Sequence, residues 1–106
     1  MWRSMRSYTV RISRKARRDV EDLSDFLLTV MSMEGARKYL DTMIDEVMSL
    51  SVFADLYRVS PMADIRQYHP KARRMVSHNK RWVYIFHVED DLVIVDHIRP
   101  SKSIAK

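Results

Sequence analysis

The chain of 106 residues has no cysteine, one glycine and three prolines. It also has no apolar run near the roughly twenty residues that span a bilayer, so no membrane segment is expected. Without cysteine there are no disulfides and no thiolate metal sites, which leaves the cytoplasm open as a location. The single glycine, Gly35, excludes a glycine-rich phosphate loop. His69, His78, His87 and His97 match no metal-ligand spacing, so neither a metal nor a cofactor is expected. Residues 1–7 are basic but no apolar stretch follows them, and a signal peptide is therefore not expected. With no repeat and no low-complexity tract, residues 1–106 read as one small domain with one core.

What the chain does have is a strand-rich last third. Arg81-Trp-Val-Tyr-Ile-Phe-His-Val88 and Leu92-Val-Ile-Val-Asp-His-Ile98 are rich in β-branched and aromatic residues and flank Glu89-Asp90-Asp91 as a hairpin. A further strand-like run begins at Arg73. If Asp90-Asp91 is a two-residue turn, Trp82, Tyr84, Phe86, Val88, Val93, Val95 and His97 share one side. Val83, Ile85, His87, Ile94, Asp96 and Ile98 share the other. Both sides are apolar, so the sheet expects cover on both.

The first half supplies cover for one side. Ala16, Val20, Leu23, Leu27, Val30 and Met31 recur at three- and four-residue spacing, as do Ala36, Leu40, Met43, Ile44, Val47 and Leu50. This predicts helices from about Lys15 to Val30 and from about Glu34 to Ala54, with Ser13 as N-cap of the first and Gly35 in the short link. Such a link makes an antiparallel helical hairpin in one layer. Tyr8 to Ser13 alternates as a strand, and Asp55 to Lys71 reads as a loop with a short turn near Met62 to Arg66. The eight methionines are expected to fill gaps in the core and at helix edges. The fold expected is α+β in the order β-α-α-β-β-β: a strand, two helices on one face, then a three-stranded antiparallel sheet. The face carrying Val83, Ile85, Ile94 and Ile98 is left bare, to be covered by a partner or by residues 57–70.

Charge is unevenly placed. Residues 1–56 carry nine Lys and Arg against nine Asp and Glu, and residues 57–106 carry ten against five. No acid occurs between Asp64 and Glu89, a gap holding Arg66, Lys71, Arg73, Arg74, Lys80 and Arg81, and Arg99 and Lys102 follow the last strand. A field of this sign attracts phosphates or acidic protein surfaces. The other basic cluster, Arg14, Lys15, Arg17 and Arg18, precedes Asp19, Glu21, Asp22 and Asp25. Pairs such as Arg17 with Glu21 and Arg18 with Asp22 are expected at i, i+4 on a solvated helix face.

The element order, the opening Tyr8-Thr-Val-Arg-Ile-Ser-Arg-Lys-Ala-Arg-Arg-Asp-Val20, the run Arg81 to Asp91 and the ending Val93-Ile-Val-Asp-His-Ile-Arg-Pro-Ser-Lys102 resemble the RelE/ParE superfamily of bacterial type II toxin-antitoxin systems. The two long helices and their short link are closer to the ParE branch, whose characterised members inhibit DNA gyrase. The RelE branch cuts messenger RNA in the ribosome. The resemblance implies a cytoplasmic growth-inhibiting toxin, of the kind that stabilises plasmids, neutralised by a cognate antitoxin. The uncovered sheet face places the antitoxin contacts at Val83, Ile85, Ile94 and Ile98, and the charge distribution places the target contacts at the basic patch Arg73, Arg74, Arg81, Arg99 and Lys102. Operator DNA is expected to be met only through the antitoxin. A homo-oligomer or a heterotetramer with the antitoxin is consistent with the resemblance.

Whether the chain is an enzyme stays open at this point. A metal-independent endoribonuclease of the RelE kind would draw on Arg74, His87, His97, Arg99 and Lys102, with cations stabilising the phosphorane-like transition state and a histidine moving the proton. Against this, the third-strand position of a catalytic arginine in those relatives aligns with Val83, and the tail from Ser101 to Lys106 has neither Tyr nor His. A degenerate member that only binds its partner is the remaining reading.

Overall fold

The computed structural model describes residues 7–101. Ser13 ends the first strand and opens the first helix, because its Oγ accepts the Ala16 N–H at 3.0 Å while its hydroxyl donates to the Asp96 carbonyl at 3.0 Å. The strand, β1, is Thr9–Ile12 and the helix, α1, is Arg14–Val30. Ser32 caps the second helix, α2 (Met33–Met48), by accepting the Gly35 N–H at 3.0 Å. Gly35 therefore lies in the first turn of α2 and not in the link. The second helix was expected to run to Ala54; it stops at Met48, where the Ser49 hydroxyl donates to the Glu46 carbonyl at 2.6 Å. A one-turn helix, α3 (Leu50–Phe53), and a 3-10 turn (Ala54–Leu56) continue the path. Then come a short α4 (Ala63–Arg66), β2 (Arg73–Val76), β3 (Trp82–Glu89) and β4 (Leu92–Pro100).

The class is α+β, as expected. Strands β2, β3 and β4 form the expected antiparallel run, but β1 joins as a fourth strand parallel to β4, pairing Thr9 with Leu92 through Ile12 with Val95. The sheet is mixed, in the order β1-β4-β3-β2. Alternation within β1 predicts a half-buried strand and says nothing of its neighbour's direction; the parallel pairing needs a long crossover, which the intervening helices and strands supply. Asp90 takes the left-handed turn conformation at φ 56°, which Asp tolerates better than most residues.

One face of the sheet packs on the helical hairpin. Leu23, Leu27, Met43, Val47 and Leu50 meet Tyr84, Phe86, Val93, Val95 and Ile98 there. Tyr57 stands edge-on to Phe86 at 5.9 Å between ring centroids. The opposite face is not bare. Ile65 and Ala72 are fully buried against Val83 and Ile85, which are 1% and 0% exposed, with Tyr68 packed alongside. Residues 57–72 are the cover, held at their ends by the Ser60 N–H donating to the Ala72 carbonyl at 2.8 Å.

Candidate functional site

The hairpin pairs as expected from Glu89–Leu92 to Phe86–Val95 and then slips, because Ile85 pairs with His97 and Asp96 has no partner across the ladder. Such a bulge places two consecutive residues on one side of a strand. Asp96 and His97 both turn away from the hairpin core, and Ile98 turns into it at 6% exposure. The expected sides of His97 and Ile98 are thereby exchanged.

The bulge builds a row of polar couples along the second face. His87, 6% exposed, has Nδ1 at 2.7 Å from Asp96 Oδ2, and its ring stacks on His69 with centroids 3.7 Å apart. An ionised carboxylate only accepts, so His87 carries a proton on Nδ1. His69 Nδ1 accepts the Lys71 N–H at 3.0 Å, so the proton of that ring is on Nε2. Burial pushes the Asp96 carboxyl above the ordinary aspartate value, against the opposing pull of His87. Next along β4, His97 Nδ1 is 2.5 Å from Asp19 Oδ2, which also accepts the Ile98 N–H at 3.0 Å, and the His97 ring lies against Tyr68. Last, Arg99 grips Asp64 with both terminal nitrogens, which holds the Asp64 carboxyl below its usual range and raises the guanidinium in turn.

These couples decide where the expected site residues stand. Arg99 pins α4 to β4. Arg73 points to the helix side, where Nη1 donates to the Ala54 carbonyl at 3.0 Å and lies 3.6 Å from Asp55, itself the acceptor of the Tyr8 hydroxyl at 2.8 Å. Arg74 and Arg81 are exposed, on β2 and in the β2–β3 turn. Lys102 lies outside the described residues. Val83, Ile85 and Ile98 are buried within the chain itself, which corrects their assignment as open contact residues; of the four, Ile94 alone keeps part of its surface. Asp19, Asp64, Asp96, Tyr68 and His69 escaped the sequence reading. The one signal for them is their chemistry, since nothing in their spacing joins them.

Two open clefts flank this scaffold. One, of about 640 Å³, lies between α1 and the paired ends of β3 and β4, with Asp19, Phe26, Trp82, His97 and Arg99 in its wall. The other, of about 850 Å³, opens beside the edge strand β2 and is lined by Leu56, Val59, Met62, Arg58 and Arg74. Leu56 is 70% exposed, and Val59 and Val76 are exposed nearby. Val59 makes one isolated bridge to Arg73, leaving the rest of this edge without a neighbouring strand among the described residues.

A short strand-helix-helix unit closed by three antiparallel strands, with an apolar and basic cleft at the sheet edge, defines a small α+β domain. Residues 10–104 match the family profile of the ParE toxin of type II toxin-antitoxin system, parDE, and the chain belongs to that family. Among solved structures it is similar to a chain of the chromosomal ParDE toxin-antitoxin system from P. aeruginosa, with a TM-score of 0.74 over 89% of this chain and 96% of that one. At 18% identity the likeness is one of fold. Comparison with curated proteins finds no significant match. No described helix is long and apolar enough to cross a membrane.

Proposed function

We propose that this chain is a cytoplasmic, growth-inhibiting ParE-type toxin that stabilises the plasmid or locus carrying it, acts by binding a protein target, with DNA gyrase as the family's example, and is neutralised by a cognate antitoxin. The observation that carries the binding reading is the engagement of the residues a nuclease would need. His87 is held by Asp96, His97 by Asp19, and Arg99 by Asp64. An aspartate on Nδ1 leaves Nε2 of each ring available as a base, but His87 is buried against the His69 ring, and Arg99, two residues on from His97, has its fork closed on Asp64, so neither histidine stands beside a free phosphate-stabilising arginine at the end of β4. Arg74 and Arg81 remain exposed and supply the target contacts on this reading.

The antitoxin docks in the cleft beside β2. Exposed Leu56, Val59 and Met62 next to Arg58 and Arg74 suit an apolar segment bearing acids, and the unpaired edge of β2 suits an added strand. The test is induced expression without the antitoxin, followed by a supercoiling assay with purified gyrase and primer extension of cellular transcripts. Inhibited supercoiling with intact transcripts is expected. Discrete transcript ends that appear within minutes, with supercoiling unaffected, would replace this reading by the endonuclease.

A further inference from the structure

The charge count by halves conceals a sharper segregation at the start of the chain. Residues 1–18 hold seven Lys and Arg and no acid, whereas residues 19–56 hold two against nine acids. Three of the seven, Arg14, Arg17 and Arg18, are exposed at i, i+3 and i+4 on the first turns of α1, whereas Arg11 alternates with Val10 and Ile12, which pack toward the helices, and so belongs to the other face of the sheet. None of the three makes an ion pair within the described residues. The expected couples of Arg17 with Glu21 and Arg18 with Asp22 do not form; the one pair on this helix is Lys15 with Asp19 at 3.3 Å. Asp19 is largely withdrawn even from that, since its other oxygen serves His97 and the Ile98 N–H.

Folding does not ask for this arrangement. Cations at a helix N-terminus oppose the macrodipole, and α1 has no acid in its first turn and no base in its last. The early backbone amides are not the attraction either, because Ser13 already caps Ala16. What remains is a cluster of guanidinium forks facing solvent, with a shallow groove between Arg14 and Arg17.

We infer that Arg14, Arg17 and Arg18 form a direct binding face for the phosphodiester backbone of nucleic acid, separate from the cleft at β2 and from any contact an antitoxin makes with DNA. The composition of the patch favours phosphates over an acidic protein. Protein interfaces centre on desolvated apolar and aromatic anchors, and no exposed large apolar side chain occurs between Ser7 and Arg18. Backbone recognition needs no such anchor, only several arginines spaced to meet successive phosphates.

The test uses the full chain and fluorescence anisotropy with a labelled DNA duplex of arbitrary sequence and, separately, an RNA hairpin, each titrated over a salt series. Three phosphate contacts predict that log K falls with log salt at a slope of about −2.7 on duplex DNA, at roughly −0.9 per contact. The variant Arg14→Gln/Arg17→Gln/Arg18→Gln should lose nearly all of that slope and keep the parent's thermal unfolding midpoint. Arg37→Gln/Lys38→Gln, which removes two exposed cations from α2, should leave the slope unchanged. Loss on the hairpin alone would assign the face to RNA, and loss on the duplex to DNA. A triple variant with the parent's slope on both probes, or a parent that binds neither at about 50 mM salt, where backbone contacts are strong, overturns the inference. So does a triple variant that keeps both probes and loses only antitoxin or gyrase.

Discussion

Asp19 Oδ2 sits 2.5 Å from His97 Nδ1 and 3.0 Å from the Ile98 amide, so one carboxylate oxygen on α1 binds two consecutive residues of β4 across 78 positions of sequence. This is the clasp between the helical layer and the last strand, and it lies just beyond the bulge at Asp96. Asp19→Ala leaves a ring N–H and a backbone N–H without their acceptor at a site where the carboxylate is 11% exposed. The expected cost is about 1–3 kcal/mol in urea unfolding, with Asp19→Asn recovering part of it because its amide oxygen still accepts. Equal stability of Asp19→Ala and the parent would show that the clasp contributes nothing.

On the proposed reading the histidines hold the fold together and do no chemistry. His97→Gln and His87→Gln should each leave growth arrest intact in cells where the protein accumulates to parental levels, while His87→Ala, which empties a buried ring site, lowers the unfolding midpoint. Loss of arrest in a folded His→Gln variant would reinstate general acid/base chemistry.

Ile85 is wholly buried beneath Ile65 and Ala72, so it reports on folding and not on antitoxin docking. Ile85→Ala should cost about 2–5 kcal/mol, as large-to-small core changes do. Leu56→Asp, on the exposed wall of the β2 cleft, should leave stability near the parent's and weaken antitoxin binding at least tenfold, read by calorimetry. A Leu56→Asp protein with parental antitoxin affinity moves the docking site elsewhere.

The basic residues divide in the same way. Arg74→Ala and Arg81→Ala remove exposed side chains, so stability should stay within about 0.5 kcal/mol while target affinity falls. Arg99→Ala should instead release α4, seen as faster amide exchange over residues 63–68, and Arg99→Lys should restore this only partly, since an ammonium cannot reproduce the two-nitrogen grip on Asp64. Unchanged exchange in Arg99→Ala would mean that the apolar contacts of Ile65 hold the cover alone.

Two aspartates give opposite dependences on pH. Asp96 is raised above its ordinary value of 3.8 by burial, so the folded state binds the proton more tightly than the unfolded state. Its contribution is most favourable below 3.8 and declines as pH rises through the raised value. The stability of Asp96→Asn relative to the parent should therefore climb as pH rises from 3.8 through the raised value and then level off. Asp64, lowered by Arg99, contributes above its ordinary 3.8 and loses that contribution as pH falls through its depressed value. Denaturant midpoints measured for Asp96→Asn and Asp64→Asn from pH 3 to 7 check both signs. A flat difference for Asp96→Asn would mean that His87 fully offsets the burial.

Local chemistry was legible without the fold. Ser13 as a cap, the two helical stripes, the hairpin about Asp90-Asp91 and the short turn near Met62 to Arg66 depend on neighbours within a few residues, and side-chain spacing encodes such neighbours directly. Where the helix stopped at Ser49 was not legible, because periodicity runs on through Leu50 while the backbone is cut short at Glu46 and Ser49. The candidate site was less legible still. The bulge at Asp96 exchanges the sides of His97 and Ile98 with no change of composition, β1 chooses β4 as a parallel neighbour across the whole chain, and residues 57–72 fold over Val83 and Ile85 although nothing in their pattern announces a core. Arg99 meets Asp64 across 35 positions and His97 meets Asp19 across 78. Residue type determined that these groups could pair; the tertiary structure alone decided which pairs met, because a charge has no periodicity and takes as its partner whatever opposite charge the packing of apolar layers brings within reach.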